Sequence, residues 1–242
     1  MHLSLIIPAF NEAKKITHDL EAARDFLSSK PQSEVIVVDD GSRDATRAIV
    51  EEWVINASMQ HTFRLLSYGG NRGKGYAIRY GVKNSSGSYV AFVDSGLCVP
   101  LSYLDHGFEK IGSGFDFAIA SRRLPGAQVK REQPTYRKVG SVVFWYLMKG
   151  AMGIEVSDTQ CGFKVYKGDV ARDLFSHLKT DGFMFDIEAL RLAKKLGYRG
   201  TEFAVAWSSD HDSRYHPVAG TWRNFRELAA MRFRDLLPGE AR

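Results

Sequence analysis

Cysteine is scarce, with only Cys98 and Cys161 in 242 residues. Two thiols make no disulfide framework, which excludes a stapled secreted scaffold and leaves two reduced, buried thiols of a cytosolic protein as the expectation. Long apolar runs are missing too. The most continuous one, Val142-Val143-Phe144-Trp145-Tyr146-Leu147-Met148, falls far short of the roughly 20 residues that span a bilayer. Pro8 interrupts the first apolar stretch before a signal-length core forms, so no signal peptide is expected. The sequence also lacks internal repeats, low-complexity tracts and clear linkers. Charge of one sign is barely in excess: 33 Lys and Arg against 28 Asp and Glu give +5. That balance admits an anionic partner without choosing one, and no recognition motif accompanies the basic residues, so nucleic acid is not expected.

What is present is alternation. Residues 3–7, 34–38, 63–67, 89–93 and 116–120 read as strands, and 12–27, 45–53, 74–83 and 101–111 as helices between them. Strict alternation implies right-handed βαβ crossovers and a mainly parallel α/β sheet flanked by helices. The second half is less regular: a polar loop at 122–134, helices at 136–150, 169–178 and 185–196, a strand at 201–207, and a last basic helix at 222–237. We read 1–210 as one domain and 211–242 as a C-terminal loop and amphipathic helix of the same unit.

Ligands of such sheets bind at the carboxyl ends of strands, so the residues after each run matter most. After the first comes Pro8-Ala9-Phe10-Asn11-Glu12. Here Pro8 is expected to stop the ladder and Asn11 to cap the next helix, while Glu12 suits the helix dipole or a ligand. After the second comes Val38-Asp39-Asp40-Gly41-Ser42, two acids and a turn glycine that suit ribose hydroxyls or a base edge. After the third comes Gly69-Gly70-Asn71-Arg72-Gly73-Lys74-Gly75, whose glycines let the backbone approach phosphates and whose Lys74 can neutralise them. Gly75 and Tyr68 break the P-loop pattern, and the dinucleotide fingerprint is not met either. After the fourth comes Asp94-Ser95-Gly96, a strand-terminal acid.

In this order the four features resemble the family 2 inverting glycosyltransferases with a GT-A fold. Ser157-Asp158-Thr159-Gln160-Cys161-Gly162-Phe163-Lys164 looks like the signature of the dolichyl- and polyprenyl-phosphate glycosyltransferases, the dolichyl-phosphate glucosyltransferase branch in particular. Ala120-Ser121-Arg122 and Phe183-Met184-Phe185-Asp186-Ile187-Glu188 fit that branch too. The resemblance covers residues 3 to 207. It implies transfer of a hexose, with inversion, from UDP-glucose first or GDP-mannose second to the phosphate of a polyprenyl or dolichyl lipid, at the cytoplasmic face of a membrane. It assigns the donor nucleotide to Pro8, Ala9, Asn11, Glu12, Asp39, Asp40, Lys74, Asp94 and Ser95.

A phosphate monoester has its second pKa near about 6, so the acceptor is already a nucleophile and the site's task is cationic clamping and alignment. Arg122, Arg123, Lys130, Arg131, Arg137 and Lys138 cluster with only Glu132 opposing them. Arg122 and Arg137 are the first choices for the acceptor phosphate because arginine forks match its oxygens, with Arg123 and Lys164 next. Asp158 matches the acid that the resemblance puts at the reaction centre, as an orienting group or a base; Asp94, Arg122 and Arg137 complete the catalytic set. Residues 136–152, and 222–237 with Trp222, Phe225, Leu228, Ala229, Phe233 and Leu236 near one face, suit a membrane interface, or packing onto the domain or a second copy.

The family turn generally offers an acid, a small residue and a second acid for a Mg²⁺ or Mn²⁺ ion; here Gly96 stands where the second belongs. In one account the ion is held by Asp94, the diphosphate, water and a late ligand, with His211 the candidate beside Asp210 and Asp212. In another the metal is weak and Lys74 and the arginines neutralise the diphosphate. In a third, catalysis is lost and the chain is a silent nucleotide-binding partner of a membrane subunit. A polysaccharide-building enzyme of the same family is the remaining alternative, and the oligomeric state is open.

Overall fold

The computed structural model describes residues 2–30, 32–59, 62–129, 156–208 and 217–236. Strands β1 (Leu3–Ala9), β2 (Glu34–Asp39), β3 (Phe63–Ser67) and β4 (Tyr89–Val93) alternate with helices α1 (Ile16–Leu27), α2 (Thr46–Asn56) and α3 (Lys74–Lys83). Then follow α4 (Tyr103–Gly112), β5 (Phe117–Ser121), β6 (Gln128–Val129), β7 (Phe163–Lys167) and α5 (Gly168–Ser176). The chain continues through α6 (Phe185–Lys195), β8 (Gly200–Ala204), β9 (Ala206–Trp207) and α7 (Pro217–Leu236). Seven strands form one sheet in the order β3-β2-β1-β4-β7-β5-β8, and β6 pairs with β9 separately. Strands β1 to β4 are mutually parallel, β5 and β8 are parallel to each other, and β7 runs antiparallel between β4 and β5.

Period-two alternation fills a core on each face. Leu3, Leu5 and Ile7 of β1 meet Val35 and Val37 of β2, Ala91 and Val93 of β4 and the apolar faces of α1, α2 and α4. Ile6, Ile36, Val38, Val90 and Phe92 point the other way, onto α3, α5, α6 and Met231 of α7. Helix α1 shows the rule: Ile16, Leu20, Ala23 and Leu27 form one buried stripe at helical spacing.

Several expectations change. Pro8 does not stop the ladder: pairing with β2 runs on through Pro8↔Val38 to Ala9↔Asp39, and only the β4 side ends, at Ile6↔Phe92. Helix α1 starts at Ile16 rather than 12, so Asn11 is not its cap. Strand β7 was not foreseen. Its Lys164, an acceptor-phosphate candidate in the sequence, lies on a face of the strand that is buried against α6. The run at 201–207 divides into β8 and β9, and β9 draws residues 128–129 of the supposed loop into a short parallel ribbon.

Candidate active site

The loops after β1 to β4 meet at one end of the sheet, and side chains bond them to each other. Asn11, in the left-handed region at φ 56, accepts the Arg43 N–H on Oδ1 (2.8 Å), while its own N–H donates to Ser42 Oγ (2.9 Å). Glu12 N–H donates to Thr46 Oγ1 (2.7 Å), and its carboxylate pairs with Lys15 (2.8 Å). Asp39 accepts the Ser42 N–H (3.1 Å) and so closes the turn after β2. Asp40 reaches across to the next loop. Its carboxylate takes the Tyr68 hydroxyl (2.9 Å), the Asn71 amide (2.8 Å) and the N–H groups of Arg72 (2.7 Å) and Gly73 (2.9 Å). It is a buried anchor for the glycine-rich loop. Gly41 is required by the same packing: it lies at φ +70, and a Cβ there would sit 2.4 Å from the Gly70 carbonyl carbon.

Asp94 directly follows β4 and carries the junction between the two halves of the sheet. Its N–H donates to the Gly162 carbonyl (2.8 Å), and its carboxylate pairs with Lys74 Nζ (2.6 Å) at the start of α3. A Cβ on Gly162 would collide with the Asp94 carboxylate at 1.9 Å, so glycine at that place in the Thr159–Lys164 run makes room for that side chain. Burial pulls the Lys74 ammonium down, but Asp94 and Asp186 outweigh it and hold it above the usual lysine range. The next two residues are gripped from behind. Asp19, on α1, accepts the Ser95 hydroxyl (2.6 Å) and the Gly96 N–H, which lies 3.0 Å from both its oxygens.

Asp158 and Arg122 form a forked pair, with Nε at 2.7 Å and Nη2 at 2.8 Å, and the Arg122 N–H adds a third bond at 3.0 Å. Burial raises the Asp158 carboxyl, but Arg122 more than offsets it and holds the group below its ordinary range. Asp158 is thus held as a carboxylate in a fixed pair with Arg122. Arg122 also lies over the Trp207 ring, 5.3 Å from its centroid. Behind the pair, Glu202 of β8 accepts the Ser157 N–H (2.9 Å), the Ser157 hydroxyl (2.6 Å) and the Asp158 N–H (3.1 Å).

Lys164 is 1% exposed. Its ammonium donates to Asp186 (2.6 Å) and to the carbonyls of Cys161 (2.8 Å) and Thr159 (3.3 Å). All three of its protons thus go to protein acceptors, so it shapes the Thr159–Cys161 turn and is not placed to receive a lipid phosphate. Arg123 is exposed, with its N–H on Ser121 Oγ (3.3 Å). Lys130, Arg131, Arg137, Lys138 and His211 lie outside the described residues. Asp19 and Glu202 escaped the sequence reading. Asp19 left a usable signal, a carboxylate beside the apolar stripe of α1; Glu202 left none that its strand's composition would reveal.

For a metal, the donor set points to a shared shell. Among the described residues no group of three or more His, Cys, Asp or Glu could hold an ion. Asp94 alone presents a part-exposed carboxylate at the turn, and Gly96 can offer no side chain. Mg²⁺ characteristically takes one or two carboxylates and completes its shell with substrate phosphates and water, which Asp94 fits.

Comparison with known proteins agrees with this geometry. Residues 4–175 match the model of Glycosyl transferase family 2. A dolichyl-phosphate beta-glucosyltransferase from Dictyostelium discoideum is 30% identical over 98% of this chain and 76% of its own length. Its counterpart from Drosophila melanogaster is 31% identical over 94% and 73%. Among solved structures, glucosyl-3-phosphoglycerate synthase from Mycobacterium tuberculosis, in complex with Mn²⁺, UDP and phosphoglyceric acid, superposes with a TM-score of 0.69. It is 20% identical, over 99% of this chain and 80% of that one, a likeness of fold. The sheet is thus of the GT-A type, and the chain belongs to glycosyl transferase family 2.

Proposed function

We propose that this enzyme transfers glucose, with inversion, from UDP-glucose to the phosphate of a polyprenyl or dolichyl lipid at a membrane surface. The observation that carries the reading is the bond from Asp94 N–H to Gly162 O. It fastens the donor-side turn to the segment that presents Asp158 and Arg122, so the two substrates' binding groups share one rigid edge. The names of the relatives at about 30% identity support the acceptor class.

The acceptor oxygen is already ionised, so positioning and charge carry the reaction. Asp158 fixes the Nε and Nη2 side of Arg122; Nη1, outside that fork, reaches the lipid phosphate, with Arg123 and Arg137 supporting it. Pro8, Ala9, Asn11, Glu12 and Asp39 line the nucleotide end, with Asp40 acting through the loop it anchors. Charge argues for a divalent cation. Lys74–Asp94, Arg122–Asp158 and Lys164–Asp186 cancel pairwise, whereas a nucleotide diphosphate and a phosphate monoester together bring several negative charges. Mg²⁺ or Mn²⁺, held by Asp94 with His211 as a further ligand, would neutralise the leaving diphosphate. Helix α7 supports work at a membrane surface, because its outward aromatics and arginines suit one; we place that surface on the cytoplasmic side.

The test is transfer of radiolabelled sugar to a short polyprenyl phosphate, with UDP-glucose and GDP-mannose compared. Product is expected from UDP-glucose, lost in EDTA and lost in Asp94→Ala. Full turnover in excess EDTA, or a fully active Asp94→Ala, would sink the metal-assisted reading.

A further inference from the structure

The turn Asp94-Ser95-Gly96 lacks a second acid, yet a carboxylate is there. It comes from α1. Asp19 is completely buried, and among the described residues its carboxylate accepts from the Ser95 hydroxyl and the Gly96 N–H. Gly96 adopts φ 91, which glycine takes at no steric cost, and Leu97 adopts φ 44, which a residue with a side chain seldom does. An acid at position 96 would be strained at that φ. Glycine at 96 is therefore the residue this clamp requires, not a decayed ligand.

We propose that Asp19 is the positioning residue of the donor-side metal turn: by holding Ser95 and Gly96 from behind, it fixes the backbone that aims Asp94. The inference rests on the reading of Asp94 as the diphosphate-metal acid. It assigns no metal bond to Asp19, which sits behind the turn and points its oxygens at a hydroxyl and an N–H. A buried carboxylate retained for two such bonds makes sense where the turn's shape, rather than the fold, is at stake.

The test measures UDP affinity of the full chain by calorimetry, with and without Mn²⁺, alongside amide exchange at residues 95–97. Asp19→Ala is expected to speed exchange there and to weaken Mn²⁺-dependent UDP binding by roughly tenfold or more, leaving metal-free UDP binding within about twofold, as loss of a charge-assisted hydrogen-bond pair implies. Asp19→Asn should rescue, because its amide oxygen can take the Gly96 N–H while the Ser95 hydroxyl turns to accept. Should Asp19→Ala not fold, Ser95→Ala removes one of the two bonds and should give a smaller loss of the same kind. A folded Asp19→Ala with unchanged Mn²⁺-dependent affinity overturns this proposal alone. A wild type without any Mn²⁺-dependent UDP binding overturns it together with the reading on which it rests.

Discussion

Asp19 has a consequence for stability that is separable from its role at the turn. Burial, opposed by the Ser95 hydroxyl and the Gly96 N–H, pushes its carboxyl up to about 6. Between about pH 4 and pH 6 the native protein keeps a proton that the unfolded chain has released, so this group's stabilisation is full in acid and falls as pH rises to about 6. The loss is on the order of 2–3 kcal/mol. Asparagine at 19 cannot ionise and can keep both bonds. Thermal melts of Asp19→Asn should therefore exceed wild type at about pH 8 by clearly more than at about pH 4.5. A difference that does not change with pH would mean that Asp19 is not the group that titrates. The wild-type carboxylate is thus a residue whose charge lowers stability at neutral pH, the pattern expected where a site is held at the fold's expense.

Between elements, one device recurs: a carboxylate accepts N–H groups of the loop that the site uses. Asp40 on the β2 end holds the 71–73 loop, Asp19 on α1 holds Ser95 and Gly96, and Glu202 on β8 holds Ser157 and Asp158. The three differ in what they tolerate. Asp19 has a hydroxyl partner that can reverse, whereas Glu202 takes backbone N–H groups on both oxygens. Glu202→Gln must set an amide NH₂ against one N–H, and is expected to cost about 1–3 kcal/mol in stability. It should also lower kcat by roughly tenfold by loosening Asp158 and Arg122. Urea denaturation and steady-state transfer check both, and a neutral Glu202→Gln would refute the device at β8. These anchors also mark the limit of what the sequence discloses. The four parallel strands and the strand-end acids were legible because apolar alternation and turn glycines leave local patterns. The antiparallel β7 and the paired roles of Lys164 with Asp186 were not, because a buried lysine reads as a wet one until its distant partner is known. Gly162 looked like a motif letter, and only the nearby Asp94 carboxylate explains it.

For the molecule as a whole, α7 has one face docked on the domain and one face exposed. One face docks: Met231 is buried, Leu228 packs beside it, Glu227 accepts the Met184 N–H (3.1 Å) and Arg234 pairs with Glu188 (3.1 Å). A Cβ on Gly182 would strike Glu227, so the loop before α6 is shaped to receive this helix. The opposite face exposes Trp222 (65%), Phe225 (63%) and Phe233 (69%), with Arg226 and Arg232 also exposed. Leu228 therefore leaves the apolar face on which periodicity had grouped it. Among the described residues no helix is long and apolar enough to cross a membrane; under the proposed function, the outward face of α7 is where the chain would meet the lipid. On that proposal, aromatics at headgroup depth with arginines on anionic lipids would provide the contact. The triple variant Trp222→Ala, Phe225→Ala, Phe233→Ala removes exposed groups, so its stability should stay within about 0.5 kcal/mol of wild type. Its sedimentation with anionic liposomes should fall by roughly tenfold or more, as burying three aromatics implies. Transfer to polyprenyl phosphate in those liposomes should fall with it, while transfer to a short acceptor dispersed in detergent persists. If the variant binds liposomes like wild type, the outward face of α7 serves something other than lipid; if both transfers fall together, the helix acts on the site through Glu227 and Met184 rather than through the membrane.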